Sequence, residues 1–408
     1  MVGTFSLTNP VLLVRDPRLV DKIMATDFSH FVDRGLASDA QASPIDLGLV
    51  TMTGASWKAA RQKLSPVFSS GKLKTMFEQV SLTAQAIIGY IEKAGGAEMN
   101  VKEITSMYST DVTASCFFGL DVGATLGADN EFRRQALRAF DMTYPQFLKF
   151  LLTLNLPSWI GRRLGGSLTP PDLAAYFGDI IAHAIKARKE NDIRRSDILQ
   201  LLLDIREKGT VEPTRSATAV DPDDEYLAMG GNRENKESSE FNDDSVAAHA
   251  YTFLTAGLDT STLALCFCIM QLSLHQDVQE KARDEVRKVL GSKSWPTYLD
   301  LKAMSYLENC ILETMRLYPA VAILFRQCTK DYTFEDGVTL KAGDSLVLPI
   351  LGIHTDPNYF DDPMKYRPER HSESKFQRGT FFPFGDGPRI CIGNFVASTI
   401  IFYKLPIK

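Results

Sequence analysis

The pattern of apolar and polar positions predicts a mostly helical chain with a small β region. Thr4–Val14 alternates and ends at Asp16-Pro17, which predicts a strand followed by a helix start. From Ser56 to Ile181 the pattern is mainly helical, with breaks expected at Gly71, Gly95-Gly96 and Pro145. The stretch Phe147–Ile160 is very apolar and reads either as a core segment or as a membrane-dipping loop. Leu173–Arg188 predicts a helix with a basic end. Residues 209–244 are rich in Asp, Glu, Asn, Ser and Gly and lack periodicity, so they predict a mobile surface linker. Asp243 or Asp244 is expected to cap a long helix that runs through Leu274. A strongly charged helix at Val278–Leu290 and another at Met304–Tyr318, stopped by Pro319, follow. Between Phe325 and Ile353, β-branched residues and Gly/Asp turns predict the small sheet.

Val246–Leu274 is apolar enough to pass for a membrane span. Asp259 sits in its middle among Thr255, Thr260, Ser261 and Thr262. A carboxylate at the bilayer centre costs about 2.5–3.5 kcal/mol. A buried core helix that carries polar function is the better reading. The net charge of −5 argues against a general nucleic-acid binder. None of the six cysteines forms a C-x-x-C pair, so zinc and redox motifs are weak, and a reduced, intracellular protein is expected. His30, His183, His249, His275, His354 and His371 lack metal-ligand spacing. His249 reads as a satisfied core histidine.

The strongest chemical signal is Phe384-Gly-Asp-Gly-Pro-Arg-Ile-Cys-Ile-Gly393. Its glycines permit tight turns with positive φ. Such a loop can aim backbone N–H groups at the cysteine sulfur and hold it as thiolate, while Phe384 packs beside the loop and excludes water. The bland alternative is a surface turn with an inert buried cysteine.

The whole string fits F-x-x-G-x-R-x-C-x-G, and on it the sequence resembles the cytochrome P450 superfamily across nearly its whole length. It is most similar to animal microsomal members of the arthropod detoxification type. The resemblance implies a mainly α cytochrome P450 fold with a small β region, a single domain over 1–408, and haem b (iron protoporphyrin IX) with Cys391 as axial ligand to the iron. Three further motifs carry it. Ala256-Gly-Leu-Asp-Thr-Ser261 lies in the long helix. Gly257 is expected to leave room beside Ala256 on the oxygen-binding face, and Asp259 with Thr260 to relay protons. The plain reading is a core helix whose threonine bonds back to its own backbone. Glu313-Thr-Met-Arg316 shares a helix face and is expected to meet Arg370 in a structural ion network. Trp57-Lys-Ala-Ala-Arg61 has both ends on one face. The resemblance assigns Trp57, Arg61, Arg326 and Arg389 to the haem propionates, and Phe384 and Gly393 to the haem-binding loop.

The implied activity is insertion of one oxygen atom from O2 into a lipophilic xenobiotic or endogenous lipid-like molecule. Phe253, Ala256, Val321, Ile323 and Leu324 are the candidate pocket residues. Electrons are expected from NADPH through NADPH–cytochrome P450 reductase docked at the cysteine-loop face, with cytochrome b5 as a second donor. The implied place is the cytosolic face of the endoplasmic reticulum membrane, with peripheral contact. Against the family pattern, an N-terminal anchor and a pocket-closing C-terminal hairpin are expected to be lacking, Phe395 stands where a basic residue is usual, and His371 where Phe is usual. These departures keep a truncated, non-catalytic haem-binding protein and a haem-free helical scaffold as alternatives.

Overall fold

The computed structural model describes residues 1–7, 9–36, 43–126, 130–141, 143–145, 148, 152, 169–211, 241–373 and 375–394. Almost all of Phe147–Ile160, most of 209–244, and Phe395 lie outside these residues.

The N-terminal segment is a hairpin rather than one strand. Strand β1, Val2–Ser6, pairs antiparallel with β2, Asn9–Leu13. Leu7 makes the turn in the left-handed region, at φ 52°. Without a glycine or asparagine at that position, the turn leaves no sequence signal. Asp16 then caps the short helix Pro17–Asp21 by accepting from the Arg18 amide. A π-turn, Lys22–Thr26, follows it.

The hairpin joins strands from far along the chain. β2 runs parallel to β6, Ser345–Leu348, and β6 runs antiparallel to β3, Leu324–Gln327. The sheet order is β1-β2-β6-β3. A two-strand ladder, β4 (Tyr332–Thr333) with β5 (Thr339–Leu340), stands beside it. Val14, Ile23, Met24, Phe31, Phe334, Leu346 and Phe382 form the core under this sheet.

The larger core is helical and surrounds the 32-residue helix Asp243–Leu274. That helix is apolar on nearly every face, as a helix at the centre of a bundle must be. It packs against Val101–Thr113, Ile198–Lys208 and Ser305–Leu317. Its length and composition would suit a membrane crossing, yet it buries His249, Thr262 and Gln271 inside the protein. Its cap is Asn242, not either aspartate: the Asn242 side chain accepts from the Ser245 amide at 2.9 Å. Gly71 does not break a helix. It lies in the first turn of Ser70–Lys93, where glycine costs little, and the break falls earlier at Ser65–Phe68 around Pro66. Gly95 and Gly96 do end that helix, both at positive φ.

Candidate functional site

The cysteine loop, the stretch that carries Arg34 and the helix that carries Arg61 come together around Cys391. The loop that carries it is fixed from within and from below. The Phe382 carbonyl accepts from the Gly385 amide at 2.9 Å, and the Phe384 carbonyl accepts from the Cys391 amide at 2.9 Å. Gly387 is left-handed at φ 65°, and a Cβ there would lie 1.8 Å from the Met24 carbonyl oxygen. No other residue fits that contact, so the loop sits directly on the π-turn Lys22–Thr26.

The Cys391 side chain is accessible, but burial is still the largest influence on it and pushes its thiol up. A group that is both accessible and hemmed in by protein faces an internal cleft. The Gly393 amide, Arg61 and Arg34 act in the opposite direction and favour thiolate. A bound metal cation would complete that reversal, since a coordinating thiol loses its proton outright. The other cysteines are different. Burial pushes Cys116 and Cys268 up to about 12, as expected of inert packing thiols.

Around the cleft stand four guanidiniums. Trp57 and Arg61 are both buried on one face of the helix Gly54–Leu64. Arg326 is buried on β3, and its Nε has no hydrogen-bond partner among the described residues. Arg389 lies over the Trp57 ring at 4.1 Å and donates to the carbonyls of Val32, Leu49 and Met52. Arg34, which sequence reasoning missed, donates to the Val50 carbonyl. Desolvation lowers all four. It leaves Arg61 at about 10, Arg326 at about 9 and Arg389 at about 8, with mutual repulsion adding to the effect. Asp33, 3.7 Å from Arg389, supplies the compensating carboxylate, and it also caps the Trp57 helix by accepting from the Gly54 amide. Arginine does not give up its proton in proteins. The crowding therefore calls for an anion with more than one carboxylate beside a sulfur ligand. The two propionates of haem fit that donor set.

The long helix is partly exposed over one short stretch. Ala256 is exposed, and Gly257, Asp259 and Thr260 are half-buried between the buried residues Leu254 and Ser261. The Thr260 hydroxyl donates to the Ala256 carbonyl at 2.6 Å, the back-bonded geometry. Asp259 has its carboxyl pushed up by burial, against an attraction to Lys102. Its electrostatic neighbours lie on the helix Val101–Thr113 and just past Glu131–Arg138. Gly257 does not open the oxygen face. A Cβ there would meet Phe117 at 3.1 Å, so the space it leaves is filled by that ring. Phe253 is also displaced from its expected role. It is buried, edge-on to Phe68 at 4.9 Å and stacked near His249, and so belongs to the core. Val321 and Ile323 are exposed, and Leu324 is half-buried at the start of β3. Phe384 packs against the helical core.

Glu313, Arg316 and Arg370 do meet. Glu313 accepts two bonds from Arg316 at 2.9 Å, one from Arg370 Nε at 2.9 Å and one from the Arg367 amide at 3.1 Å. His371 adds a fourth partner, its Nε2 donating to Glu313 Oε2 at 3.0 Å. The residue that departs from the family pattern therefore completes this network. Burial alone would raise the Glu313 carboxyl, but His371 and Arg316 outweigh it and hold it at about 2.

Together these features define a thiolate-anchored haem protein of mainly α architecture. The chain belongs to the cytochrome P450 family, whose sequence model, described as Cytochrome P450, matches residues 1–406. It is similar to probable cytochrome P450 6d5 of Drosophila melanogaster, at 32% identity over 96% of this chain and 77% of that protein. It is similar also to cytochrome P450 6j1 of Blattella germanica, at 33% over 96% and 74%. Cytochrome P450 6d1 of Musca domestica is 34% identical over 97% and 77%. The chain is accordingly a haem-thiolate monooxygenase.

Proposed function

We propose that this enzyme inserts one oxygen atom from O2 into lipophilic small molecules, xenobiotic or endogenous and lipid-like, with electrons from NADPH. They would arrive through NADPH–cytochrome P450 reductase at the cysteine-loop face, with cytochrome b5 as a second donor. It would act as one P450 domain on the cytosolic face of the endoplasmic reticulum membrane. Haem held by the Cys391 thiolate supplies oxygen activation, so that one oxygen atom enters the substrate and the other leaves as water.

The chain's own residues do the rest. Arg34, Arg61, Arg326 and Arg389, with Trp57 beneath Arg389, would hold the propionates. The Gly393 amide steadies the sulfur charge. Val321, Ile323, Leu324 and Ala256 would give the substrate an apolar lining. Asp259, its carboxyl raised by burial, holds a proton more readily than a surface aspartate. Thr260, having spent its own proton on the Ala256 carbonyl, accepts from a water and orients it. Glu313, Arg316 and Arg370 lock the segment below the loop and take no part in the chemistry.

The observation that carries this reading is that Arg61 and Arg34 act on one accessible cysteine while Arg326 and Arg389 crowd against the same pair of guanidiniums. A carbon-monoxide difference spectrum of the reduced protein tests it. The thiolate-type band is expected in the wild type and absent in Cys391→Ala. Its persistence in that variant sinks the assignment.

A further inference from the structure

His354 is fully buried, on the short helix Ile350–His354, and belongs to neither the chemistry nor the ion network. Its two ends nevertheless reach both. Arg316, already bound to Glu313, donates through Nη1 to the His354 carbonyl at 2.7 Å. The ring Nε2 accepts from the Phe382 amide at 3.1 Å. An accepting Nε2 carries no proton, so the ring is neutral with its hydrogen on Nδ1. Burial and the nearby Arg316 agree, holding the ring neutral down to about 3. Phe382 starts the turn closed by Gly385, and Phe384 receives the Cys391 amide. Phe381 lies between His354 and His371, with centroids at 5.3 and 5.0 Å, so the two imidazoles brace the same segment.

A purely packing role does not account for an imidazole here. Leucine could not receive the Phe382 amide.

We propose that His354 is a positioning residue for the axial ligand: its carbonyl is held by Arg316 and its Nε2 holds Phe382, which couples the Glu313 network to the segment that sets the cysteine loop. This rests on the haem-thiolate reading of Cys391.

Two variants separate this role from general stability. In His354→Gln the side-chain amide oxygen reaches the Nε2 position. In His354→Asn it falls one bond short. Both are measured as full-length haem-loaded protein, by amide hydrogen exchange and by the carbon-monoxide difference spectrum. In the Asn variant, exchange at Phe382, Gly385 and Cys391 should rise about tenfold over wild type. A growing share of the spectrum should lose the thiolate-type band, with the urea midpoint matching that of the Gln variant. The Gln variant should keep wild-type exchange and spectrum. Indistinguishable exchange and spectra in the two variants overturn the proposal. So does global unfolding of both, which would make His354 an ordinary core residue. A wild type without the thiolate-type band instead sinks the haem-thiolate reading, and is thereby distinguished from failure of the His354 assignment.

Discussion

Two buried groups of charge sit within one protein and are built on opposite principles. Around Glu313 the hydrogen bonding is closed: one carboxylate meets Arg316, Arg370, His371 and the Arg367 amide, and the two guanidiniums give their remaining N–H groups to backbone carbonyls. Around Cys391 the positive charges outnumber the available carboxylate, and Arg326 keeps a nitrogen without a partner. A finished network is a structural lock. An unfinished one stores unfavourable electrostatic energy that an anion can release. The contrast separates architecture from binding site before any ligand is invoked, and it makes opposite predictions for mutation.

The largest effect belongs to the closed network. Glu313→Gln leaves four cationic or donor partners facing a neutral group at a fully buried position. Urea denaturation should show a loss of about 3–5 kcal/mol. A loss within 1 kcal/mol would remove the claim that this carboxylate closes the network.

His249 offers a control, a buried polar group with neither partner nor surplus charge. Its Nδ1 is unpaired, its ring is stacked on Phe241, and burial lowers it to about 4. The unfolded chain, titrating near 6.5, takes up protons first as pH falls. Stability is then complete above about 6.5 and is lost progressively toward 4, by about 2 kcal/mol at pH 5. Glu313, lowered to about 2, adds its own loss only below about 4.5. His249→Phe should therefore flatten the slope between pH 7 and 5 in thermal unfolding, with the remaining slope set by other groups such as His354. An unchanged slope removes the assignment.

Arg326→Met should behave oppositely to Glu313→Gln. The haem-free protein should gain about 1–2 kcal/mol in urea, because a buried, half-partnered guanidinium is replaced by a thioether of similar length. Haem transfer to an excess of a scavenger protein should become at least several-fold faster. Weakened apoprotein with unaltered haem retention would place Arg326 with the closed network instead.

Cys391, Trp57 and Arg61 were legible because their geometry is local: a loop of fixed glycines, and two residues four apart on one helix. The Glu313–Arg316 pair was legible for the same reason. What failed was decided by tertiary packing. Gly257 suits an open face in sequence, but Phe117 arrives from another helix to fill it. Asn242, Asp243 and Asp244 are equally good caps on paper, and only the chain's entry angle selects the first. The N-terminal hairpin hid because Leu7 bears the left-handed turn. His371 read as a defect and proved to be a ligand of Glu313.

Arg34 was the least legible residue and provides the finest test. It stands between Asp33 and Gly35 with no periodic partner, and only the fold brings its charge to bear on Arg61, Arg326, Arg389 and Cys391. Arg34→Leu should move two measurements in opposite directions. Repulsion among the remaining guanidiniums falls, so the haem-free protein should be unchanged or gain less than about 1 kcal/mol, against the loss of a bond to the Val50 carbonyl. Haem should leave several-fold faster, because one charge facing the propionates has gone. A structural arginine would give the first measurement the wrong sign, and a bystander would leave the second untouched. Only a residue of the unfinished cluster produces both shifts together.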